Sequence, residues 1–233
     1  MRSTVPSRLL LFDIDGTLIN SFGSMRLYDK VIGEEAGVEG PVPDGEFHGS
    51  TDLKIVSTKL TAMGVSPGPD IVGRIILRIE GELETLVESG STTSPKFGVV
   101  ELLDKLNNDP HFTVSVLTGN TVRNAQSKLR AAGIDHYFDF SIGAFGSDSS
   151  ERNDLVPVAR RRFMERHAHE LDGEAVIVIG DTARDLECAR AGGARCILVS
   201  TGAYGHQELS SLGAELTVSD LSDIDAVLEF FYA

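Results

Sequence analysis

Short apolar runs alternate with helical patterns along most of the chain. The runs are "LLLFDI" from Leu9, "FTVSVLTG" from Phe112, "AVIVIGD" from Ala175 and "CILVST" from Cys196. Between the runs, Ala125, Leu129 and Ala132 are at helical spacing, and further helical segments run from about Asn153 to His167 and from Ala183 to Ala191. Strands that alternate with helices predict a parallel sheet covered on both faces.

The region from Ser21 to Ser94 breaks this alternation, because it contains helical patterns only. Three apolar stripes each end at a glycine, which suits the residue just past a helix end. They are Met25, Tyr28, Ile32 and Ala36 before Gly37; Leu53, Val56, Leu60 and Met63 before Gly64; and Ile75, Ile76, Ile79, Leu83 and Leu86 before Gly90. The pattern predicts an α/β core with an all-helical insert after its first strand.

Composition narrows the choice of partners. The chain has 233 residues, 41% hydrophobic and 24% charged, which is typical of a globular protein with a core. A net charge of −14 argues against nucleic acid as a partner, whereas a metal and a few cations can still create a local site for a small anion. The two cysteines form no disulfide framework, and no stretch resembles a signal peptide or a membrane span. We therefore expect a cytoplasmic protein, monomer or homodimer, without a membrane partner.

Three polar clusters follow three of the predicted strands. Asp13 and Asp15 follow "LLLF", residues 118–120 follow "VSVL", and Asp181 and Asp185 follow "VIVIG". Strands of one direction end along one edge of a parallel sheet, which is where ligands bind. The three clusters should therefore converge. Burial of an ionised carboxylate is costly without a partner, so a shared site with partners would explain why acids end these buried strands.

This set of side chains suits phosphoryl transfer through an acyl phosphate. One carboxylate can act as the nucleophile, and a second one two residues away can serve as acid and base for the leaving group and for water. Carboxylates that crowd one point repel each other, so a hard divalent cation is implied. Mg²⁺ fits because it prefers oxygen ligands and neutralises phosphate charge.

The motifs "DIDGTL" (13–18), "LTGN" (117–120) and "GDTARD" (180–185) resemble the signature of the haloacid dehalogenase-like superfamily. The helical insert resembles the cap of its phosphoglycolate phosphatase-like branch. The resemblance implies an α/β fold, with a Rossmann-like parallel sheet core over residues 1–19 and 92–233. It also implies an inserted all-helical cap domain over residues 20–91.

The resemblance also implies roles for the first two motifs. Asp13 would be the nucleophile and a Mg²⁺ ligand. Asp15 would be the general acid and base, with its backbone carbonyl on the metal. Thr118 would hydrogen-bond a phosphoryl oxygen, helped by backbone N–H groups near Gly119 and Asn120.

In the third motif, Asp181 would bind Mg²⁺, and Asp185 would either bind it or hold a metal-bound water. The superfamily usually has a lysine before this motif, but no lysine follows Lys128 here. Arg152, 29 residues before Asp181, is the obvious substitute in contact with the phosphate. Arginine keeps the charge but differs in geometry from lysine.

Local structural roles compete with these assignments. Asp13 and Asp15 also suit a strand-end turn, because Gly16 and Thr17 follow them. Thr118 or Asp185 could serve a helix start or accept structural hydrogen bonds. In the insert, Ser50 and Thr51 either form the N-cap of the next helix or contact substrate.

Taken together, the residues and the resemblance predict a Mg²⁺-dependent phosphomonoester hydrolase of a small phosphorylated metabolite. A sugar phosphomutase on the same scaffold is the alternative, and a phosphoacceptor signalling module is a rival from another class. The large insert and Asp15 disfavour the signalling module, and Asp15 with the metal carboxylates disfavours a dehalogenase. A silent scaffold is a weaker option, because no motif carboxylate is missing.

Overall fold

A parallel six-stranded sheet forms the centre of the computed structural model, which describes residues 6–23, 25–38 and 40–233. The strands are β1 (Arg8–Phe12), β2 (Phe112–Thr118), β3 (Ala144–Phe145), β4 (Val176–Gly180), β5 (Arg195–Val199) and β6 (Leu216–Val218). Their order in the sheet is β3-β2-β1-β4-β5-β6, and every neighbouring pair is parallel. This is the predicted α/β, Rossmann-like fold class.

Side chains of β1 alternate between two cores, one on each face of the sheet. Leu10 and Phe12 belong to the first core, whereas Leu9 and Leu11 belong to the second. All four are fully buried, because a strand with neighbours on both sides and helices on both faces has no solvent-facing side. A continuous apolar run, rather than an alternating one, is the sequence signature of this position.

Helices cover both faces. They are α1 (Met25–Ala36), α2 (Asp52–Ala62), α3 (Pro69–Glu88), α4 (Val99–Asn107), α5 (Val122–Ala131), α6 (Leu155–His167), α7 (Ala183–Ala191), α8 (His206–Ser210) and α9 (Ile224–Tyr232). Residues of α4, α5 and α9 pack into the first core, and those of α6, α7 and α8 into the second. None of the helices in the described part of the chain is long and apolar enough to cross a membrane.

The structure confirms the four predicted strands and the three predicted helices of the insert. It adds β3 and β6, which are only two and three residues long, so a periodicity has no room to develop in them. The helix expected from about Asn153 begins at Leu155, after a 3₁₀ turn over Arg152–Asp154.

The three helices of the insert, α1 to α3, lie between β1 and β2 in the chain. The chain leaves and re-enters the sheet layer side by side, because Ile19 forms an antiparallel bridge with Pro95 and Asn20 N–H donates to the Ser94 carbonyl at 3.1 Å. The division into a core (1–19, 92–233) and a cap (20–91) stays a prediction. Residues 1–5, Ser24 and Glu39 of those ranges lie outside the described residues.

Candidate active site

A cleft of about 620 Å³ opens at the carboxyl ends of the central strands. Because β1, β2 and β4 are adjacent and parallel, the residues after them meet at this edge. The cleft is lined by Asp13 and Asp15 after β1, by Thr118 at the end of β2, and by Asp181 after β4. The sequence clusters therefore do converge, and helices of the insert close the other side of the cleft.

Asp13 is held at the end of β1 as a continuation of the sheet, since its N–H donates to the Ile179 carbonyl at 2.8 Å. Its side chain is 8% exposed, and the carboxylate accepts a hydrogen bond from Arg152 Nη2 at 3.0 Å. Burial raises the pKa of Asp13, and the nearby Arg152 charge opposes that shift. The carboxylate is therefore fixed in place with a cation beside it.

Asp181 and Asp13 belong to a group of three buried carboxylates whose oxygens lie within 4.8 Å of one another, the third being Asp185. Burial, followed by the charge of Asp13, raises the pKa of Asp181. Thr17 Oγ1 donates to Asp181 Oδ1 at 3.0 Å and leaves Oδ2 without a protein donor among the described residues. Crowded oxygen donors of this kind suit a hard divalent cation such as Mg²⁺.

Two glycines make room for the Asp181 carboxylate. Gly16 adopts a left-handed conformation with φ +91°, and a Cβ atom there would overlap Asp181 Oδ2. A Cβ atom on Gly202 would overlap the same oxygen. The Asp181 carboxylate is thus packed against backbone on two sides, which fixes its position.

Arg152 links two of the three carboxylates. It lies in the 3₁₀ turn before α6 and contacts Asp13 Oδ1 and Asp185 Oδ1 through Nη2. Burial disfavours its charge, but Asp185 and Asp13 more than offset this and raise the pKa of the guanidinium. Its Nε is buried without a hydrogen-bond partner within the described part of the chain.

Asp185 uses both carboxylate oxygens on protein donors. Oδ1 contacts Arg152, and Oδ2 accepts from Thr182 N–H at 3.0 Å and from Thr182 Oγ1 at 2.7 Å. Asp185 is the third residue of α7, so the contact to Thr182 is a capping box at the start of that helix. Its position suits a residue that holds Arg152 near Asp13.

Asp15 faces a different set of partners from Asp13, although only Ile14 separates the two. Its Oδ2 atom accepts hydrogen bonds from Asn120 Nδ2 at 2.9 Å and from Lys128 Nζ at 2.6 Å. The side chain is 29% exposed, and its Oδ1 atom accepts no hydrogen bond from the residues that the structure describes. Asp15 thus presents a free carboxylate oxygen to the cleft.

The residues after β2 form one short network. Thr118 is fully buried, and its Oγ1 accepts from Asn120 Nδ2 at 2.8 Å and from Asn120 N–H at 3.3 Å, so its own proton is free to be donated. Gly119 lies against the insert, where its carbonyl accepts from Asp52 N–H at 2.7 Å. Thr118, Gly119 and Asn120 all line the cleft.

Ser50 and Thr51 have different roles in the structure. Thr51 is the N-cap of α2, because its Oγ1 accepts from Lys54 N–H at 3.2 Å, and it also donates to the Ser150 carbonyl at 2.7 Å. Ser50 lines the cleft and its hydroxyl contacts Arg184. Substrate contact by these two residues stays a prediction, and Ser50 is the better placed of them.

The cleft is also lined by residues that the sequence analysis did not assign to the site, among them Tyr28, Asp52 and Lys128. The Asp52 carboxylate accepts from Tyr28 Oη at 2.9 Å and from Thr121 N–H at 2.9 Å, and so ties α2 to the start of α5. The sequence could have indicated that Lys128 is buried, because it lies within the apolar stripe of α5, next to Leu129. A lysine within such a stripe is buried, and a buried lysine needs a partner.

The chain is similar in sequence to known proteins. Residues 8–193 match the model of a hydrolase family, the haloacid dehalogenase-like hydrolases. The chain is 26% identical to a phosphoglycolate phosphatase of Rhodobacter capsulatus over 226 residues, covering 94% of this chain and 96% of the relative. A phosphoglycolate phosphatase of Nitrosospira multiformis is 23% identical over 232 residues, covering 98% and 99%.

Among solved structures, the fold is similar to that of CbbY from Rhodobacter sphaeroides in complex with phosphate. The TM-score is 0.70 with 19% identity, covering 93% of this chain and 96% of that one. The two chains therefore share their fold along most of their length.

Proposed function

The chain belongs to the haloacid dehalogenase-like hydrolases, and within that family we propose that it hydrolyses the phosphate monoester of a small metabolite, such as phosphoglycolate. One observation carries the proposal: two carboxylates two residues apart face the same cleft and contact different partners. Asp13 contacts Arg152 and adjoins Asp181, whereas Asp15 contacts Asn120 and Lys128. The relatives named phosphoglycolate phosphatase support this substrate class.

In the first step, a carboxylate oxygen of Asp13 attacks phosphorus, and the bond between phosphorus and the ester oxygen breaks. Asp15 donates a proton from its free oxygen to the departing alkoxide. The product is an aspartyl phosphate on Asp13 and a free alcohol. Arg152 and the Thr118 hydroxyl bind the phosphoryl oxygens while their charge redistributes.

In the second step, water attacks the phosphorus of the aspartyl phosphate. Asp15, now ionised, takes a proton from that water, and the bond between phosphorus and the Asp13 oxygen breaks. Inorganic phosphate leaves, the Asp13 carboxylate is regenerated, and Asp15 again carries the proton that it donates in the first step. The same residue serves as acid and then as base because its free oxygen faces the ester side of the phosphorus in both steps.

Asp13, Asp181 and the backbone carbonyl of Asp15 would hold a Mg²⁺ ion, which neutralises carboxylate and phosphate charge when bound. Asp185 acts through Arg152 rather than through the metal, because both its oxygens are already engaged by protein donors. Arg152 takes the place of the lysine that the superfamily usually carries.

Helices α1 to α3 act as a cap over this site. Hydrogen bonds to backbone carbonyls join the insert to the core at the cleft. Asp52 N–H donates to the Gly119 carbonyl at 2.7 Å, Thr51 Oγ1 to the Ser150 carbonyl at 2.7 Å, and Arg152 Nη1 to the Gly49 carbonyl at 3.2 Å. Closure of the cap excludes water from the ester.

A screen of phosphorylated metabolites with Mg²⁺, read as release of inorganic phosphate, tests the proposal. Phosphoglycolate, sugar phosphates and nucleoside monophosphates form the first panel. We expect phosphate release with turnover from one small ester. Transfer of phosphate to a second sugar position, without free phosphate, would instead identify a phosphomutase, and absence of either reaction over a broad panel would contradict the proposal.

A further inference from the structure

Lys128 is the buried cation on the acid side of the cleft. It is 5% exposed, lies on α5, and lines the cleft together with Asp15, Tyr28 and Asp52. Its charge also acts on Asp52, where it opposes the rise in pKa that burial causes. The proposed reaction assigns no task to this ammonium.

The ammonium is only partly used by the protein. Lysine has three N–H donors, and among the described residues Lys128 donates a single hydrogen bond, to Asp15 Oδ2 at 2.6 Å. Arg152 differs, since its guanidinium is engaged by Asp13, Asp185 and the Gly49 carbonyl. Lys128 therefore keeps donors for a ligand, in a cleft wall shielded from water, where a charged contact is strong.

The position of Lys128 relative to Asp15 tells which part of a substrate it would meet. Asp15 protonates the ester oxygen, so the leaving group lies against the Asp15 carboxylate. The Lys128 ammonium touches that same carboxylate. A negative group one or two bonds beyond the ester oxygen would therefore come within reach of Lys128.

On this basis, which rests on the proposed function, we infer that Lys128 determines specificity by binding a carboxylate of the leaving group. The cleft then prefers short esters in which a carboxylate lies next to the phosphorylated carbon. Esters with an uncharged leaving group of the same size bind without this ion pair.

A carboxylate suits this position better than a second phosphate does. Lys128 lies among the acids Asp15 and Asp52, so among the described residues one ammonium alone meets the negative charge of a ligand here. A carboxylate brings one negative charge, which that ammonium can pair with, whereas a phosphate dianion brings two and would meet more repulsion from the two acids. The Asp52 carboxylate is also committed elsewhere, to Tyr28, Thr121 and Asn124.

The experiment compares three esters with the Mg²⁺-loaded enzyme: 2-phosphoglycolate, ethyl phosphate and 4-nitrophenyl phosphate. The first two have two-carbon alcohols as leaving groups and differ in the carboxylate. We expect the wild type to prefer 2-phosphoglycolate in kcat/KM. Lys128→Met should lower kcat/KM for that ester by roughly 10- to 100-fold, mainly through KM, as the loss of a charged hydrogen bond implies. The kcat/KM of this variant for ethyl phosphate should change far less.

Two further variants complete the design. Lys128→Arg keeps the charge and should retain most of the preference, and Lys128→Gln replaces the methionine variant if that does not fold. Lys96→Met is the matched control, because Lys96 lines the same cleft but donates to the Thr201 carbonyl at 2.7 Å. It should leave the preference for 2-phosphoglycolate intact.

A purely structural role for Lys128 gives a different result. If Lys128 only positioned Asp15, both alkyl esters would lose kcat together in Lys128→Met, and the inference would be wrong. A wild type that does not discriminate between the two alkyl esters, or a preference that depends on Lys96, would overturn it as well. Hydrolysis of none of the three esters would overturn this inference, whereas the proposed function is contradicted only if the broader panel of phosphorylated metabolites also yields no phosphate.

Discussion

The two sides of the cleft are built from different parts of the chain. The nucleophile side contains Asp13, Arg152, Asp181 and Asp185, all of them buried and all from the core layer. The acid side contains Asp15, whose Lys128 partner comes from α5, with Tyr28 and Asp52 of the insert around it. On the first side, Arg152 pairs with Asp13 and Asp185. The second side is equally buried except at Asp15, whose side chain is 29% exposed, and it joins two layers of the molecule.

This difference indicates that the first side performs the phosphoryl chemistry and that the second side selects the leaving group of the substrate. Every phosphate ester presents the same phosphoryl group, so its site can be rigid and consist of strand ends. Leaving groups differ between substrates, and the residues that meet them belong to helices whose sequence can change without disturbing the sheet. The predictions below test whether the two sides are functionally separate, from the largest expected effect to the smallest.

The sharpest test substitutes the two acids one at a time. Asp13→Asn removes the attacking charge at constant size and should lower turnover of every ester by more than roughly a thousandfold. Asp15→Asn should release one equivalent of 4-nitrophenolate from the aryl ester, which needs no proton, and then stall. Rapid-mixing absorbance measures the burst. A burst in Asp13→Asn, or near-native turnover in either variant, would show that the roles are misassigned.

Removal of the metal should abolish the reaction at the nucleophile side of the cleft. With excess chelator, phosphate release should stop, and the melting temperature should fall because a ligand of the folded state has been lost. Mg²⁺ should restore both properties. Ca²⁺ should restore the melting temperature but little turnover, since its looser shell misplaces the nucleophile. Full activity in excess chelator would contradict the metal assignment.

Arg152→Ala should lower kcat/KM by roughly 100-fold or more, the scale of one lost transition-state donor. Arg152→Lys should recover part of that loss, because the charge returns without the two-nitrogen fork. Arg161→Ala is the control, since that side chain is exposed on α6 and pairs only with Glu165 at 3.8 Å within the described residues. Steady-state kinetics of the three variants on one good ester measures these changes in kcat/KM. Native kinetics of Arg152→Ala would mean that another cation binds the phosphate.

The smallest effect concerns the join between insert and core. Asp52→Ala leaves the Thr121 N–H, the Asn124 amide and the Tyr28 hydroxyl without their acceptor, and should cost about 1–3 kcal/mol of unfolding free energy. Lys54→Ala breaks an exposed pair with Glu151, also between insert and core, and should cost about 0–1 kcal/mol. Denaturant titration measures both, and equal costs would contradict the buried join.

Much of the fold was predictable because its signals are local. The apolar run before Asp13 predicts a strand buried on both faces, and the helical stripes before Gly37, Gly64 and Gly90 predict α1 to α3. The strands β3 and β6 could not be predicted, since two or three residues hold no periodicity and β6 is only half-buried.

The sequence by itself determined which acids end the strands and that parallel strands bring Asp13, Asp15 and Asp181 together, since a parallel sheet places all such ends at one edge. Only the tertiary structure decided how the cations are divided. Arg152 reaches Asp13 across 139 positions of the chain, and Lys128 reaches Asp15 across 113. Long flexible side chains take whichever partner the packing of helices leaves nearest, and that packing depends on contacts between segments far apart in the chain.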